Sequence, residues 1–143
     1  MPIGERQKTV GRDVTLEGVG LHTGEAVRVT FRPGAPHAGV VFERVDLDGR
    51  PRVRATVENV TGASRGTTLT EKGVTVYTVE HLCAAATGLG VDNLVVEIAG
   101  PEPPATDGSS AVFARAILEA GIVEQDEPRR FIALDRPFDY KQD

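Results

Sequence analysis

Val27-Arg28-Val29-Thr30-Phe31-Arg32 is the stretch of the sequence from which the fold is predicted. Its apolar side chains alternate with arginine and threonine, and successive side chains of a β-strand point to opposite faces. This period of two therefore predicts a strand with one face in the core and the other in solvent. Pro33-Gly34, a turn-forming pair, is expected to end the strand.

Strand patterns extend from this stretch through the first two-thirds of the chain. We predict further strands at residues 39–45, 53–60, 67–70, 74–77 and 94–98. The segment Glu71-Lys72-Gly73 joins the third and fourth of these, which indicates a hairpin whose Gly73 takes a positive φ. The chain is thus expected to be built mainly on β-structure.

Two segments have helical periodicity. The first covers residues 79–87, with Thr78 as its N-cap and Gly88 as its stop. The second covers residues 111–120 and ends at Gly121. Apolar side chains recur at helical spacing in both and predict core-facing stripes. These stripes are Val79, Leu82, Cys83, Ala86 and Leu89 in the first helix, and Val112, Phe113, Ala116, Ile117 and Ala120 in the second.

A run of strands followed by helix, strand and helix predicts an α+β fold. We expect a two-layer sandwich, in which two helices pack on one face of a mainly antiparallel sheet. Residues 1–128 are long enough to form one such domain with its own core. The chain then turns apolar again, and residues 131–138 predict a strand that begins a second domain, truncated here to residues 129–143.

Composition excludes several classes of function. The net charge of −5, without a basic stripe, argues against non-specific nucleic-acid binding. No apolar run has membrane-spanning length, and the N-terminus lacks the apolar core of a secretory signal, so we expect a cytoplasmic protein. Cys83 is the only cysteine, which rules out an internal disulfide and a thiolate zinc cluster. Among its alanine neighbours it is expected to be a small buried core residue.

Thr78-Val79-Glu80-His81-Leu82 contains the most informative pair of residues. Glu80 and His81 fall in the first turn of a predicted helix, off its apolar stripe. An imidazole is a good zinc ligand, and a neighbouring carboxylate can take a proton from water that a metal activates. A first-turn glutamate that complements the helix dipole, beside an exposed histidine, is the structural alternative, and the dipeptide alone favours it. No spacing rule connects His81 to the other two histidines or to Asp107, although a catalytic zinc usually needs three protein ligands.

The glycine loop, GVGLHTG at residues 18–24, has three glycines in seven residues between two predicted strands. Such a loop lets its backbone approach a ligand closely. It matches neither a phosphate-binding nor a dinucleotide-binding fingerprint. A plain turn with a solvent-facing His22 explains the pattern equally well, so both interpretations stay open.

Two further segments are candidates for ligand contacts. Residues 101–110, PEPPATDGSS, lead into the second helix, where free N–H groups and two serines can hold an anion such as a phosphate. Capping of that helix by Asp107, Ser109 or Ser110 is the better local interpretation. The segment Arg65-Gly66-Thr67-Thr68, taken alone, has the pattern of an ordinary strand start.

The order of these motifs is more specific than any one of them. GVGLHTG, RGTTL, TVEHL, LGVDNLVVEI and PEPPATDGSSAVF, in that order, resemble the UDP-3-O-acyl-N-acetylglucosamine deacetylases of lipid A biosynthesis over about residues 8–138. The resemblance implies two similar α+β domains with the active site between them. It also implies zinc-dependent hydrolysis of the N-acetyl group of a UDP-3-O-(3-hydroxyacyl)-N-acetylglucosamine, with release of acetate, in the cytoplasm of Gram-negative bacteria.

The resemblance also implies roles for individual residues. Glu80 matches the general base and His81 the first zinc ligand. The substrate-binding residues that it implies are Leu21, His22, Gly66, Thr67 and Asp107. The family carries DGSA where this chain has DGSS, a small change that should leave the helix cap intact. The family's other zinc ligands, in an H-x-x-x-D arrangement, come from the second domain and are absent here. We therefore expect an incomplete Zn2+ site and no activity from the chain alone.

Two other functions remain compatible with the sequence. The chain is alternatively a non-catalytic half-protein or interaction module, which pairs with a separate C-terminal domain through an unpaired strand edge at residues 131–138. A metal-free sugar-nucleotide binder is the third possibility, and it rests only on the glycine loop and the free N-terminus of the second helix.

Overall fold

The computed structural model describes residues 4–142, in which ten strands and two α-helices are found. The strands are β1 (Arg6–Val10), β2 (Val14–Val19), β3 (Ala26–Pro33), β4 (Val40–Arg44), β5 (Arg52–Arg54), β6 (Val60–Gly62), β7 (Thr68–Glu71), β8 (Val74–Val76), β9 (Leu94–Ala99) and β10 (Ile122–Pro128). The helices are α1 (Glu80–Gly88) and α2 (Ala111–Ala120).

A five-stranded sheet in the order β2-β3-β9-β4-β5 forms one layer of the molecule. All neighbours are antiparallel except β4 and β9, which run parallel. The predicted alternation in β3 is confirmed, since Val27, Val29 and Phe31 are buried. In the neighbouring strand Val96 lies opposite Phe31, and Ile98 lies opposite Val29. These pairs form the centre of the core.

Both helices contribute side chains to the core on the same side of this sheet. The side chains of Leu82 and Ile117 are fully buried in one cluster with Phe31 and Val96. Ion pairs such as Arg32 with Glu97 occupy the opposite, solvent-facing side. The predicted α+β sandwich, with two helices on one face of a mainly antiparallel sheet, is therefore confirmed. Neither helix within residues 4–142 has the length and apolarity needed to cross a lipid bilayer.

Two small sheets complete the fold. Strands β1 and β10 pair antiparallel, with Val10 opposite Ile122, and so bring the two ends of the domain together. Strands β6, β7 and β8 form a three-stranded antiparallel sheet. The predicted hairpin turn between β7 and β8 is confirmed, with Gly73 at φ 81°, and Lys72 also takes a positive φ of 49°.

The predicted strand at residues 53–60 is wrong for residues 55–59, which separate β5 from β6. Strand β5 pairs with β4 only as far as Arg54, whose backbone N–H then bonds to the Glu71 carboxylate at 2.9 Å. Residues Val57–Asn59 instead form a turn of 3-10 helix, and the Asn59 side chain donates to the Arg54 carbonyl at 2.9 Å. Polar contacts to the adjacent hairpin thus replace the strand ladder that the apolar pattern predicted.

The helix boundaries also differ slightly from the prediction. Thr78 does not cap α1, because it lies in the left-handed region at φ 54° and its hydroxyl donates to Glu102 at 3.2 Å. The free N–H of Val79 is satisfied by the Thr67 carbonyl at 3.3 Å. At the other end the helix includes Gly88, and Gly90 at φ 70° reverses the chain. Helix α2 begins at Ala111 and ends before Gly121, as predicted.

The predicted strand at residues 131–138 is not observed. Within the described part of the chain, residues 129–142 contain no helix or strand. A strand requires a neighbour for its ladder, and no strand within residues 4–142 pairs with this segment. Apolar side chains of this segment are consequently exposed, among them Phe131, Ile132, Leu134 and Phe138.

The contact between Arg54 and Glu71 predicts a pH-dependent stability. Hydrogen bonds from the Arg54 side chain and backbone lower the pKa of Glu71 to about 2. Because the pKa in the folded state lies below that in the unfolded state, the stabilisation is present at neutral pH and is lost as the pH falls from about 4 towards 2. We expect urea denaturation to show a stability difference between wild type and Glu71→Gln that narrows over this range. In the Arg54→Gln variant this pH dependence should be smaller, because the bonds from the Arg54 side chain to Glu71 are lost. A stability difference between wild type and Glu71→Gln that is constant with pH would contradict the assignment.

Candidate functional site

Four segments of the predicted site meet around the start of α1. They are the glycine loop between β2 and β3, the loop between β6 and β7, the first turn of α1 and the loop at residues 101–110 before α2. Glycine-loop and pre-α2 residues form a bridge between Gly20 and Pro104. Tertiary hydrogen bonds hold the arrangement, including Ala105 N to the Val19 carbonyl at 2.8 Å and Tyr77 N to the Pro101 carbonyl at 2.8 Å.

Glu80 and His81 lie at the exposed end of α1. The backbone N–H of Thr67 donates to Glu80 Oε2 at 2.8 Å, which fixes the orientation of the carboxylate. Its other oxygen, Oε1, is 3.7 Å from His81 Nε2. The two side chains are 34% and 40% exposed respectively, so both are accessible to a ligand. The predicted pair therefore faces solvent at the site and is not packed in the core.

A cavity of about 350 Å³ lies beside Glu80. His22 and Gly66, two of the residues predicted from the sequence, line it. The remaining lining residues are Thr23, Ser64, Arg65, Thr68, Tyr77, Thr78 and Glu102. This cavity is lined mainly by polar residues and contains hydroxyl, guanidinium, imidazole and carboxylate groups, so it offers both donors and acceptors to a polar ligand.

A smaller cavity of about 180 Å³ lies on the His81 side of Thr78. Leu21 of the glycine loop and His81 line it together with Phe113 of α2. Three residues of the pre-α2 loop, Pro103, Pro104 and Ala105, add apolar surface. Thr78 lines both cavities. Glu80 lies next to Gly66, which lines the larger cavity, and His81 lines the smaller one.

Asp107 is positioned differently from the other predicted residues. Its carboxylate accepts hydrogen bonds from the Ser109 hydroxyl at 2.8 Å and the Ser109 backbone N–H at 3.0 Å. These bonds lower the pKa of Asp107 and direct its side chain into its own turn. Its neighbours Thr106 and Gly108 are the residues that line the smaller cavity. In the structure Asp107 shapes the loop before α2.

Glu102 is a residue of the site that the sequence analysis missed. Its side chain is only 1% exposed, yet it accepts backbone hydrogen bonds from Thr23 at 2.7 Å and His22 at 2.8 Å. Burial alone would raise the pKa of Glu102, but these bonds outweigh it and lower the pKa. The one sequence signal was a single acid between prolines, in a loop whose other features were assigned to helix capping.

The glycines of the glycine loop allow close contact with Glu102 and its neighbours. A Cβ at Gly20 would overlap Glu102 Oε1 and Thr23 Oγ1, and a Cβ at Gly18 would lie 2.7 Å from Pro104 Cβ. Only glycine has no Cβ, so these positions let the loop wrap around the buried carboxylate. The glycine pattern is thus explained by contacts within the protein.

Three non-glycine residues at the site have left-handed backbone conformations. They are Arg65 at φ 59°, Thr78 at φ 54° and Thr106 at φ 52°. Such a conformation is unfavourable for a β-branched residue and costs on the order of 1–3 kcal/mol. Strain of this kind persists where surrounding contacts determine the backbone, and here all three residues line the two cavities.

The groups available for metal binding or nucleophilic chemistry are few. Within residues 4–142, no group of three or more histidine, cysteine, aspartate or glutamate side chains is placed to hold a metal ion. His81 provides one imidazole of the kind that zinc prefers, next to a carboxylate. Burial, with the nearby charge of Glu80, raises the pKa of the Cys83 thiol to about 11, consistent with its predicted role as a core residue.

Comparisons with known proteins give the same family as the resemblance of the motifs. Residues 7–143 match the model of the family described as UDP-3-O-acyl N-acetylglycosamine deacetylase. The UDP-3-O-acyl-N-acetylglucosamine deacetylase of Myxococcus xanthus is 46% identical over 133 residues, 93% of this chain and 42% of the relative. That of Thioalkalivibrio sulfidiphilus is 45% identical over 138 residues, 96% of this chain and 45% of the relative.

A longer relative is the bifunctional enzyme LpxC/FabZ of Chlorobaculum tepidum. It is 42% identical over 134 residues, which cover 94% of this chain and 29% of that protein. The chain therefore spans less than half the length of each of these relatives. The extent of the family match and the level of identity lead to one conclusion: the chain belongs to the UDP-3-O-acyl N-acetylglycosamine deacetylase family.

Proposed function

We propose that this chain supplies half of the active site of an enzyme that removes acetate from UDP-3-O-(3-hydroxyacyl)-N-acetylglucosamine. The observation that carries the proposal is the geometry of Glu80 and His81. Thr67 orients the Glu80 carboxylate, whose free oxygen is accessible next to Gly66 of the larger cavity, while the His81 imidazole lines the smaller cavity. Family membership supports the reaction type, because the relatives are named as UDP-3-O-acyl-N-acetylglucosamine deacetylases.

In the proposed reaction the residues of this chain have distinct roles. Glu80 accepts a proton from the water that attacks the acetyl carbonyl. His81 holds Zn2+, which when bound supplies a Lewis acid for amide hydrolysis and lowers the pKa of water. The accessible imidazole fits one position of a zinc site, and we propose that the remaining protein ligands come from a second half of the enzyme.

The substrate occupies the recesses beside this pair in our proposal. Polar groups around His22 and Gly66 contact the sugar and its substituents, as their position in the lining of the larger cavity supports. Thr67 does not line this cavity, and it acts through its N–H bond to Glu80. Leu21 contributes apolar surface from the smaller cavity. Asp107 acts through its turn, which brings Thr106 and Gly108 to that cavity.

We also propose that the domain boundary lies after Pro128. Strand β10, the last strand of the domain, ends at Pro128, and Arg129 fixes the start of the following segment to the domain through bonds to Asp92 at 2.8 Å and to the Gly90 carbonyl at 2.6 Å. Beyond it Phe131, Ile132 and neighbouring apolar side chains are exposed. Their exposure supports the assignment of residues 129–143 to a second domain, against which these side chains pack.

The proposed function predicts different behaviour for the chain alone and for the complete enzyme, in which a second half follows it. We expect the complete enzyme to release acetate from the substrate, to lose this activity with a chelator and to regain it with added zinc. The 143-residue chain alone should bind zinc weakly and release no acetate, because it contributes one ligand. Acetate release and zinc content by mass spectrometry are the measurements. A complete, zinc-loaded enzyme without activity would refute the function, and turnover by the chain alone would refute the need for a second half.

A further inference from the structure

Glu102 contacts the His22 side chain as well as the glycine-loop backbone. Its Oε1 accepts the N–H groups of His22 and Thr23, while its Oε2 lies 3.2 Å from His22 Nδ1 and 3.2 Å from Thr78 Oγ1. His22 Nδ1 and Thr78 Oγ1 are 3.1 Å apart. A buried carboxylate, an imidazole nitrogen and a hydroxyl therefore form a triangle of mutual contacts.

The protons available to this triangle determine the state of the imidazole. Ionised Glu102 has no proton to donate, and Thr78 has one. Thr78 donates to Glu102 Oε2, so the only hydrogen left for the contacts of Nδ1 is its own. The opposite tautomer would direct the Nδ1 lone pair at a buried carboxylate, which is unfavourable because that charge is shielded from water.

We propose that Glu102 is a positioning residue that holds His22 as the Nδ1–H tautomer and leaves its Nε2 unprotonated as a hydrogen-bond acceptor for a ligand in the larger cavity. No group within residues 4–142 hydrogen-bonds to Nε2, and the imidazole is half exposed at the cavity wall. The ligand group that fits an acceptor is a hydroxyl or an amide N–H, as a sugar with an acylamino substituent carries. Only this ligand assignment rests on the proposed function, because the tautomer follows from the protein alone.

His37 provides an internal comparison with the opposite expectation. The Gln7 side-chain oxygen accepts from His37 N and Asn93 Nδ2, so its amide nitrogen faces His37 Nδ1 at 2.9 Å and donates to it. His37 Nε2 lies 3.3 Å from a Glu127 carboxylate oxygen. His37 is therefore expected to be the Nε2–H tautomer in the same molecule.

Long-range proton–nitrogen NMR correlation of the 15N-labelled chain distinguishes the tautomers. At about pH 8 an ordinary imidazole is neutral. We expect protonated Nδ1 in His22 and protonated Nε2 in His37, with assignments from His22→Gln and His37→Gln variants. In Glu102→Gln the introduced amide oxygen can still accept from the backbone, while its nitrogen donates to Nδ1. The His22 tautomer should then invert, and that of His37 should not change.

Each outcome of this experiment is decisive. Wild-type His22 with protonated Nε2, or as an even mixture of tautomers, would overturn the inference, and this measurement does not depend on whether Glu102→Gln folds. A folded Glu102→Gln variant that keeps Nδ1–H would show that the carboxylate does not set the tautomer.

In the complete enzyme the same variant should raise KM about tenfold, as expected for one lost hydrogen bond, with a smaller change in kcat. An inverted tautomer with unchanged KM would refute the ligand contact, and an inactive wild-type enzyme would refute the proposed function without affecting the tautomer.

Discussion

Replacing Glu80 with glutamine should lower the kcat of the complete enzyme by about 10²–10⁴-fold while its zinc content stays unchanged. A positioned general base contributes an acceleration of this order, and the amide of glutamine cannot accept the proton. Glutamine has nearly the same shape as glutamate, and its carbonyl oxygen can still accept the Thr67 N–H that now orients Glu80 Oε2. The substitution therefore removes the base and leaves the loop attached to α1.

The control for this experiment is Glu119→Gln on α2. Glu119 is a helical glutamate that is 64% exposed and paired with Arg12 at 3.6 Å, away from both cavities. We expect the kcat and the zinc content of the Glu119→Gln enzyme to match those of the wild type. The measurements are initial rates of acetate release and metal analysis of the purified proteins. Retained activity in Glu80→Gln would remove Glu80 from its proposed role, whereas loss of zinc would indicate that Glu80 holds the metal.

Local patterns predicted the layers of this fold because local geometry determines them. The period of two around Phe31 and the helical stripe of α2 correspond to buried faces in the structure. Sequence patterns gave wrong predictions where a side chain with a predicted local role bonds to a residue far away in the sequence. Thr78 has the residue type of an N-cap, but its hydroxyl bonds to Glu102, 24 residues further along the chain. A pattern confined to one segment contains no information about such a partner.

The same limitation explains which parts of the site were found. Glu80 and His81 were predicted because the motif TVEHL is contiguous and, together with the other motifs in order, resembles the family. Glu102 was missed because its importance comes from its burial and from donors on another loop, which exist only after folding. The strand predicted at residues 131–138 is not observed for a related reason, since an apolar segment forms a strand only where a neighbouring strand pairs with it.

Leu82→Ala should lower the free energy of unfolding of the domain by about 2–5 kcal/mol, the largest stability effect that we predict. Leu82 is fully buried and anchors α1 in the core two residues after Glu80 and one after His81. Truncation removes its apolar contacts and leaves a cavity that the surrounding structure fills only partly. Because domains of this size are typically stable by about 5–15 kcal/mol, such a loss is a large fraction of the total.

Leu118→Ala on α2 is the matched control, since it makes the same change in a helix at a side chain that is 57% exposed. The free energy of unfolding of this variant should differ from that of the wild type by no more than about 0.5 kcal/mol, because the Leu118 side chain buries little apolar surface in the folded protein. Urea denaturation of the two variants should give a lower midpoint for Leu82→Ala with an unchanged slope, which identifies a change in stability. Equal midpoints for the two variants would mean that α1 is not held by this side chain. The positions of Glu80 and His81 would then depend on the other buried side chains of α1, Ala85 and Ala86, and on the contact with Thr67.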